Sequence, residues 1–116
     1  MDTNVVNIKG FDKDERQDLL DGEMDGFVYI GRGSKWGNPF VIGRDGNREE
    51  VIEKYRAYMT DQSPILFGDL AELVGKQLVC YCKPLACHGD VLVEWAEAYE
   101  TFAEHMDETA ARIRAR

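Results

Sequence analysis

The chain has 116 residues and a mass of 13.2 kDa, enough for one compact domain and too little for a second with its own core. Its 44% hydrophobic and 31% charged residues exclude a disordered chain, and no apolar run approaches the roughly 20 residues that span a bilayer. Fourteen basic against twenty-two acidic residues give a net charge of −8, which argues against bulk coating of nucleic acid; with no secretory leader in the first residues, a cytoplasmic protein is the expectation.

In chain order, Val5-Val6-Asn7-Ile8 predicts a short strand. The acidic stretch from Asp12 to Asp25 predicts a connection with one helical turn around Leu19-Leu20. Phe27 to Ile30 is an aromatic and β-branched run closed by Gly31, so it predicts a buried strand that empties into the glycine-punctuated loop Gly31 to Asn38. Pro39, Gly43 and Gly46 extend the irregular region. Asp45 or Asn47 then starts a helix, in which Val51, Ile52, Tyr55, Tyr58 and Met59 share one face and Glu49 and Glu50 sit near the positive helix end. Ser63-Pro64 punctuates the chain. Leu66 to Val74 predicts a second short helix, stopped by Gly75 before a strand from Gln77 to Cys82.

The last helix is predicted to start near Asp90. Along it Leu92, Trp95, Tyr99, Phe102 and Met106 advance by 3, 4, 3 and 4 residues, a continuous apolar seam that packs on the sheet or pairs with a second copy in a homodimer. Strands alternating with helices predict an α/β fold, a small single-domain sandwich with a short, mostly parallel sheet and flanking helices. That domain covers residues 1–106, and residues 107–116 form a polar helical extension.

Charge is unevenly distributed. Residues 1–25 carry eight acids and three bases, and residues 90–116 carry seven acids and three bases. Between them lie two acid-free stretches, Gly26 to Arg44 with Arg32, Lys35 and Arg44, and Leu73 to Gly89 with Lys76 and Lys83. A pocket built from both is a positive island in a negative shell, suited to a small anion such as a phosphate or nucleotide. Buried strands are also poor in acids, and the acidity elsewhere also fits a salt-rich cytoplasm. The loop GRGSKWGNPF, residues 31–40, follows a strand and offers backbone N–H groups together with Arg32, Ser34 and Lys35. Its spacing is neither a Walker loop nor a Rossmann fingerprint. Gly31, Arg32, Gly33, Ser34, Lys35, Trp36, Asn38 and Lys83 are the candidate ligand-binding residues. Trp36 and Tyr81 are placed to stack on a base, unless Trp36 and Phe40 anchor the loop in the core.

Chemistry concentrates in CYCKPLACHGD, residues 80–90, which contains all three cysteines. Such clustering argues for metal ligation or reactive thiols over structural disulfides in a reducing compartment. Three readings stand open. Cys80, Cys82, Cys87 and His88 form a Cys₃His zinc site, at a spacing unlike the familiar zinc motifs. Alternatively Cys87 or His88 is the reactive group at a helix N-terminus, where the dipole favours a thiolate. In the third, Cys80 and Cys82 are small buried hydrophobes and the loop alone has a role.

VYIGRGSKWGNPFVIGRDGNREEVIEKYRAYM together with GKQLVCYCKPLACHGDVLVEWA resembles the family catalogued as domain of unknown function 4326, found in bacteria, archaea and their viruses. The resemblance runs from about Val5 to Ala96, with Tyr81 in place of a tryptophan between the cysteines. It implies no established activity. A looser similarity of the strand, proline loop and Cys-His at a helix start is to domain of unknown function 488. The function expected from the residues is binding of a phosphorylated small molecule, a nucleotide or nucleotide-derived group, between the two loops. Cys87 as nucleophile or His88 as general base would then support hydrolysis or group transfer. The alternative expectation is a non-catalytic nucleotide-binding or zinc-binding module.

Overall fold

The last strand in sequence lies in the middle of the sheet. A computed structural model of the chain describes residues 2–61, 67–82 and 85–114, with side chains described for these apart from Phe67 and 106–114. Strands β1 (Asn4–Asn7), β2 (Phe27–Tyr29) and β3 (Gln77–Cys80) form one parallel sheet in the order β1-β3-β2. Val5 and Val28 both pair with Leu78, and Val6 and Tyr29 both pair with Val79. A central parallel strand is covered on both faces, which is why Leu78, Val79 and Cys80 are all buried.

Side-chain alternation divides the core in two. Val5, Val28, Leu78 and Cys80 pack with the main cluster, which also holds Tyr55, Met59, Val91, Leu92 and Ala96. Val6, Phe27, Tyr29 and Val79 pack on the other face with Ile8 and Leu19. Helix α1 (Lys13–Leu20) therefore covers one face, and helices α2 (Arg48–Asp61) and α3 (His88–Arg114) the other. This is the α/β layering that the alternation of elements predicts.

Where the elements differ from expectation, local hydrogen bonding supplies the reason. The acidic connection contains two turns of helix, because Asp12 and Glu15 form a capping box with bonds of 2.8 and 2.9 Å. Asn47 and Glu50 repeat the device at the start of α2. The segment Phe67–Glu72 is a 3₁₀ helix, and Gly75 follows it at φ +74°, a left-handed turn that favours glycine. β3 ends at Cys80, two residues short of the predicted strand, so Tyr81 and Cys82 belong to the loop. Ser63-Pro64 lies outside the described residues.

Helix α3 starts at His88, two residues earlier than predicted, and runs unbroken through Arg114. The Asp90 carboxylate accepts from the Cys87 N–H at 3.2 Å, across the helix start. The seam is correct only in its first turns. Leu92 is fully buried, Trp95 and Tyr99 are half-buried, and Phe102 is 51% exposed, while Val91 and Ala96 take the remaining core positions. The helix outruns the sheet it packs on, so burial fades along it. The Met106 side chain lies outside the described set.

Candidate functional site

In a parallel sheet every strand delivers its following loop to the same edge, and β2 and β3 deliver the two acid-free loops. They meet around a cavity of about 330 Å³. Gly31, Arg32, Asn38 and Phe40 line it from the first loop, Cys80, Tyr81, Cys82, Ala86, Cys87 and His88 from the second. Helix α2 closes it with Arg48, Val51 and Ile52. Two guanidiniums and no carboxylate stand in this described lining, in a chain of net charge −8.

Internal bonds hold the first loop in shape. The Tyr55 hydroxyl, buried under the loop, donates to the Trp36 carbonyl at 2.7 Å, and burial pushes that phenol well above its usual range. Asn38 donates from Nδ2 to the Val51 carbonyl at 3.2 Å and accepts the Phe40 N–H at 2.9 Å, tying the turn to α2. Ser34 donates to the Gly31 carbonyl at 2.7 Å. Gly37 is required by packing, since a Cβ there would lie 2.8 Å from that same carbonyl oxygen.

Only part of the expected anion cradle faces this cavity. Trp36 is 2% exposed and anchors the loop in the core, so it is not a stacking residue. Lys35 pairs with Glu72 at 2.7 Å and lies beside the Trp36 ring, outside the cavity lining. Gly33, Ser34, Lys35 and Trp36 line, with Arg32, a neighbouring and more open cavity of about 440 Å³. Arg32, Gly33 and Ser34 also border a third surface. Lys83 lies outside the described residues.

At the second loop, the Cys80 and Cys87 sulfurs are 3.4 Å apart and buried. Their hydrogen bond, and then burial, push the Cys87 thiol far above the ordinary thiol range, outweighing the Gly89 N–H that bonds its sulfur at 3.3 Å. The contact with Cys80 and the burial thus act against the helix end at Cys87. The His88 ring stands edge-on to Tyr55 at 4.9 Å and donates from Nε2 to the Ile30 carbonyl at 2.7 Å. Because a carbonyl only accepts, Nε2 carries the proton and the neutral ring keeps Nδ1 as an acceptor. Burial lowers the His88 pKa, against a smaller raising effect of the Ile30 bond. The four expected Cys₃His ligands are not drawn together around one point. Among the described residues no group of three His, Cys, Asp or Glu side chains is placed to hold an ion.

A family model matches residues 15–98, a span that includes both loops. The chain belongs to the family described as a domain of unknown function, DUF4326. It is similar to uncharacterized protein R718 of Acanthamoeba polyphaga mimivirus, 36% identical over 93 residues, covering 65% of this chain and 70% of that protein. It is also similar to the uncharacterized 12.4 kDa protein in the nrdA-td intergenic region of Enterobacteria phage T4. There the identity is 39% over 69 residues, covering 56% of this chain and 62% of the phage protein, less than two thirds of its length. No solved structure matches significantly. No helix among the described residues of this DUF4326 domain is long and apolar enough to cross a membrane.

Sequence reasoning missed two polar cavity residues of this DUF4326 domain, Arg48 and Tyr29. Arg48 reaches the loop before α3 and donates to the Ala86 carbonyl at 2.9 Å. Its position directly after the helix-capping Asn47 was the available signal. Tyr29 closes over Gly31 and donates to the Arg32 carbonyl at 3.2 Å; burial and then the neighbouring Tyr81 phenol raise its pKa. Tyr81, expected to stack on a base, lines the cavity and is 60% exposed.

Proposed function

We propose that this cavity binds a small phosphate-bearing molecule with a planar ring, a nucleotide or nucleotide-derived group. One observation carries the reading: two acid-free loops, far apart in sequence, close on one space whose described lining holds Arg32 and Arg48 and no carboxylate. Guanidiniums suit phosphate because their forked donors match two oxygens at once. Tyr81 and Tyr29 offer aromatic surface for the ring. The volume of about 330 Å³ suits a small ligand, near the lower end of typical binding pockets.

For hydrolysis or group transfer on such a ligand, the neutral His88 ring, with Nδ1 as acceptor, is the better candidate to take a proton. Cys87, buried in contact with Cys80, is a poor nucleophile at rest. A binding module without turnover is the second reading, favoured by the engagement of both residues in the fold.

Calorimetry with inorganic phosphate and a panel of nucleoside mono-, di- and triphosphates tests the proposal. Arg48→Ala and Arg32→Ala are each expected to weaken binding roughly tenfold or more, as loss of a charged hydrogen bond of about 1.5–3 kcal/mol implies, while Lys35→Ala leaves it near the parent. Absence of binding below millimolar, or parent-like affinity in both arginine variants, overturns it. Product analysis of the ligands that bind separates turnover from binding alone.

A further inference from the structure

We propose that Cys80 and Cys87 form a thiol–disulfide exchange site, which closes to a reversible intramolecular disulfide when a small organic disulfide enters the cavity. This goes beyond the ligand-binding reading and does not depend on it. The two residues are brought together by the fold, one at the end of β3 and the other directly before α3, with their sulfurs in contact at 3.4 Å. A disulfide bond is about 2.05 Å long, so closure needs an approach of about 1.35 Å between the sulfurs. Both sulfurs are buried from bulk water, yet both residues line the cavity, which gives a small disulfide a route to them. Cys82 is half-buried and lines the same space, a third thiol that is not in the pair.

The exchange balances in two steps. One thiol of the pair loses its proton, and its sulfur attacks a sulfur of the organic disulfide R–S–S–R. The S–S bond of the reagent breaks, a mixed protein–S–S–R disulfide forms, and the departing RS⁻ takes up the proton as RSH. The second thiol then loses its proton and attacks the protein sulfur of the mixed disulfide. A second RSH leaves and the Cys80–Cys87 bond is made. The two cysteines are oxidised by two electrons and R–S–S–R is reduced by two. Because the second thiol already stands in contact with the first, the second step is intramolecular and outruns reversal of the first by RSH. A dithiol reverses both steps, which is the behaviour expected of disulfides that form in reducing compartments.

Incubation of the full reduced chain with oxidised glutathione, acid quench, alkylation and mass mapping of the fragment bearing residues 80–87 tests this. The expected product has lost two hydrogens, carries the alkyl group on Cys82 alone, and is restored by dithiothreitol. Cys82→Ser is expected to give the same bridge, and Cys80→Ser and Cys87→Ser each to accumulate a glutathione adduct on the surviving partner. Should either core variant fail to fold, the parent and Cys82→Ser still decide the matter. A bridge to Cys82 as the main product, a stable adduct on Cys82 with Cys80 and Cys87 still reduced, or no reaction of the native chain overturns the proposal. Calorimetry on the reduced protein keeps failure of phosphate binding distinct from failure of exchange.

Discussion

His88 pins the start of α3 to the end of β2, donating from Nε2 to the Ile30 carbonyl at 2.7 Å. The bond joins the two loops that border the cavity, and burial of the ring that makes it lowers the His88 pKa. A buried neutral histidine binds fewer protons in the folded chain than in the unfolded one at mildly acidic pH. Its contribution to stability is therefore complete above the unfolded value of about 6.5 and is lost as pH falls from there towards the lower folded pKa. Urea midpoints at about pH 7.5 and about pH 5.5 are expected to fall more for the parent than for His88→Gln. An equal fall in both places the pH dependence elsewhere.

Trp36, a stacking candidate by sequence, is a core residue. Trp36→Ala is expected to cost about 3–5 kcal/mol, the range for a buried aromatic, whereas half-buried Trp95→Ala costs less. Chemical denaturation of the two variants gives the order directly. A smaller loss at Trp36 than at Trp95 would reverse the assignment of which tryptophan holds the core.

Gly89 sits where α3 meets the sheet. A Cβ there would lie 2.8 Å from Ile30 Cδ1, 3.0 Å from Val5 Cγ2 and 3.2 Å from Cys87 Sγ. Gly89→Ala is thus expected to destabilise by about 1–3 kcal/mol through overpacking, despite alanine's better helix propensity. Gly68, with nothing among the described residues within 4 Å of the position a methyl group would take, is the control, and Gly68→Ala is expected to stay within about 0.5 kcal/mol of the parent. Equal effects at the two glycines would show that the helix start shifts to make room.

Thiol accessibility follows burial here. Cys80 and Cys87 are buried and in contact, and Cys82 is half-exposed at the loop. Iodoacetamide on the reduced native protein is expected to modify Cys82 first, with Cys80 and Cys87 following more slowly through the cavity they line. Peptide mapping over time reads the order. Early labelling of Cys87 would restore the activated thiol that the helix start alone suggests.

What could be read from the residues was whatever depends on short-range pattern. The run Phe27 to Ile30, the apolar face of Val51, Tyr55 and Met59, and the family resemblance in the two loops needed no partner to be legible, because strand alternation, helix spacing and glycine turns are local properties. The parallel sheet followed from the alternation of elements. Tertiary structure decided the rest, since charge and reactivity depend on neighbours distant in the chain. Lys35 meets Glu72, Trp36 meets Tyr55, Arg48 meets Ala86 and Cys80 meets Cys87 only after the sheet has brought their elements together. A helix N-terminus lowers a thiol's pKa and a buried thiol contact raises it. From sequence only the first was visible, and at Cys87 the second is the larger.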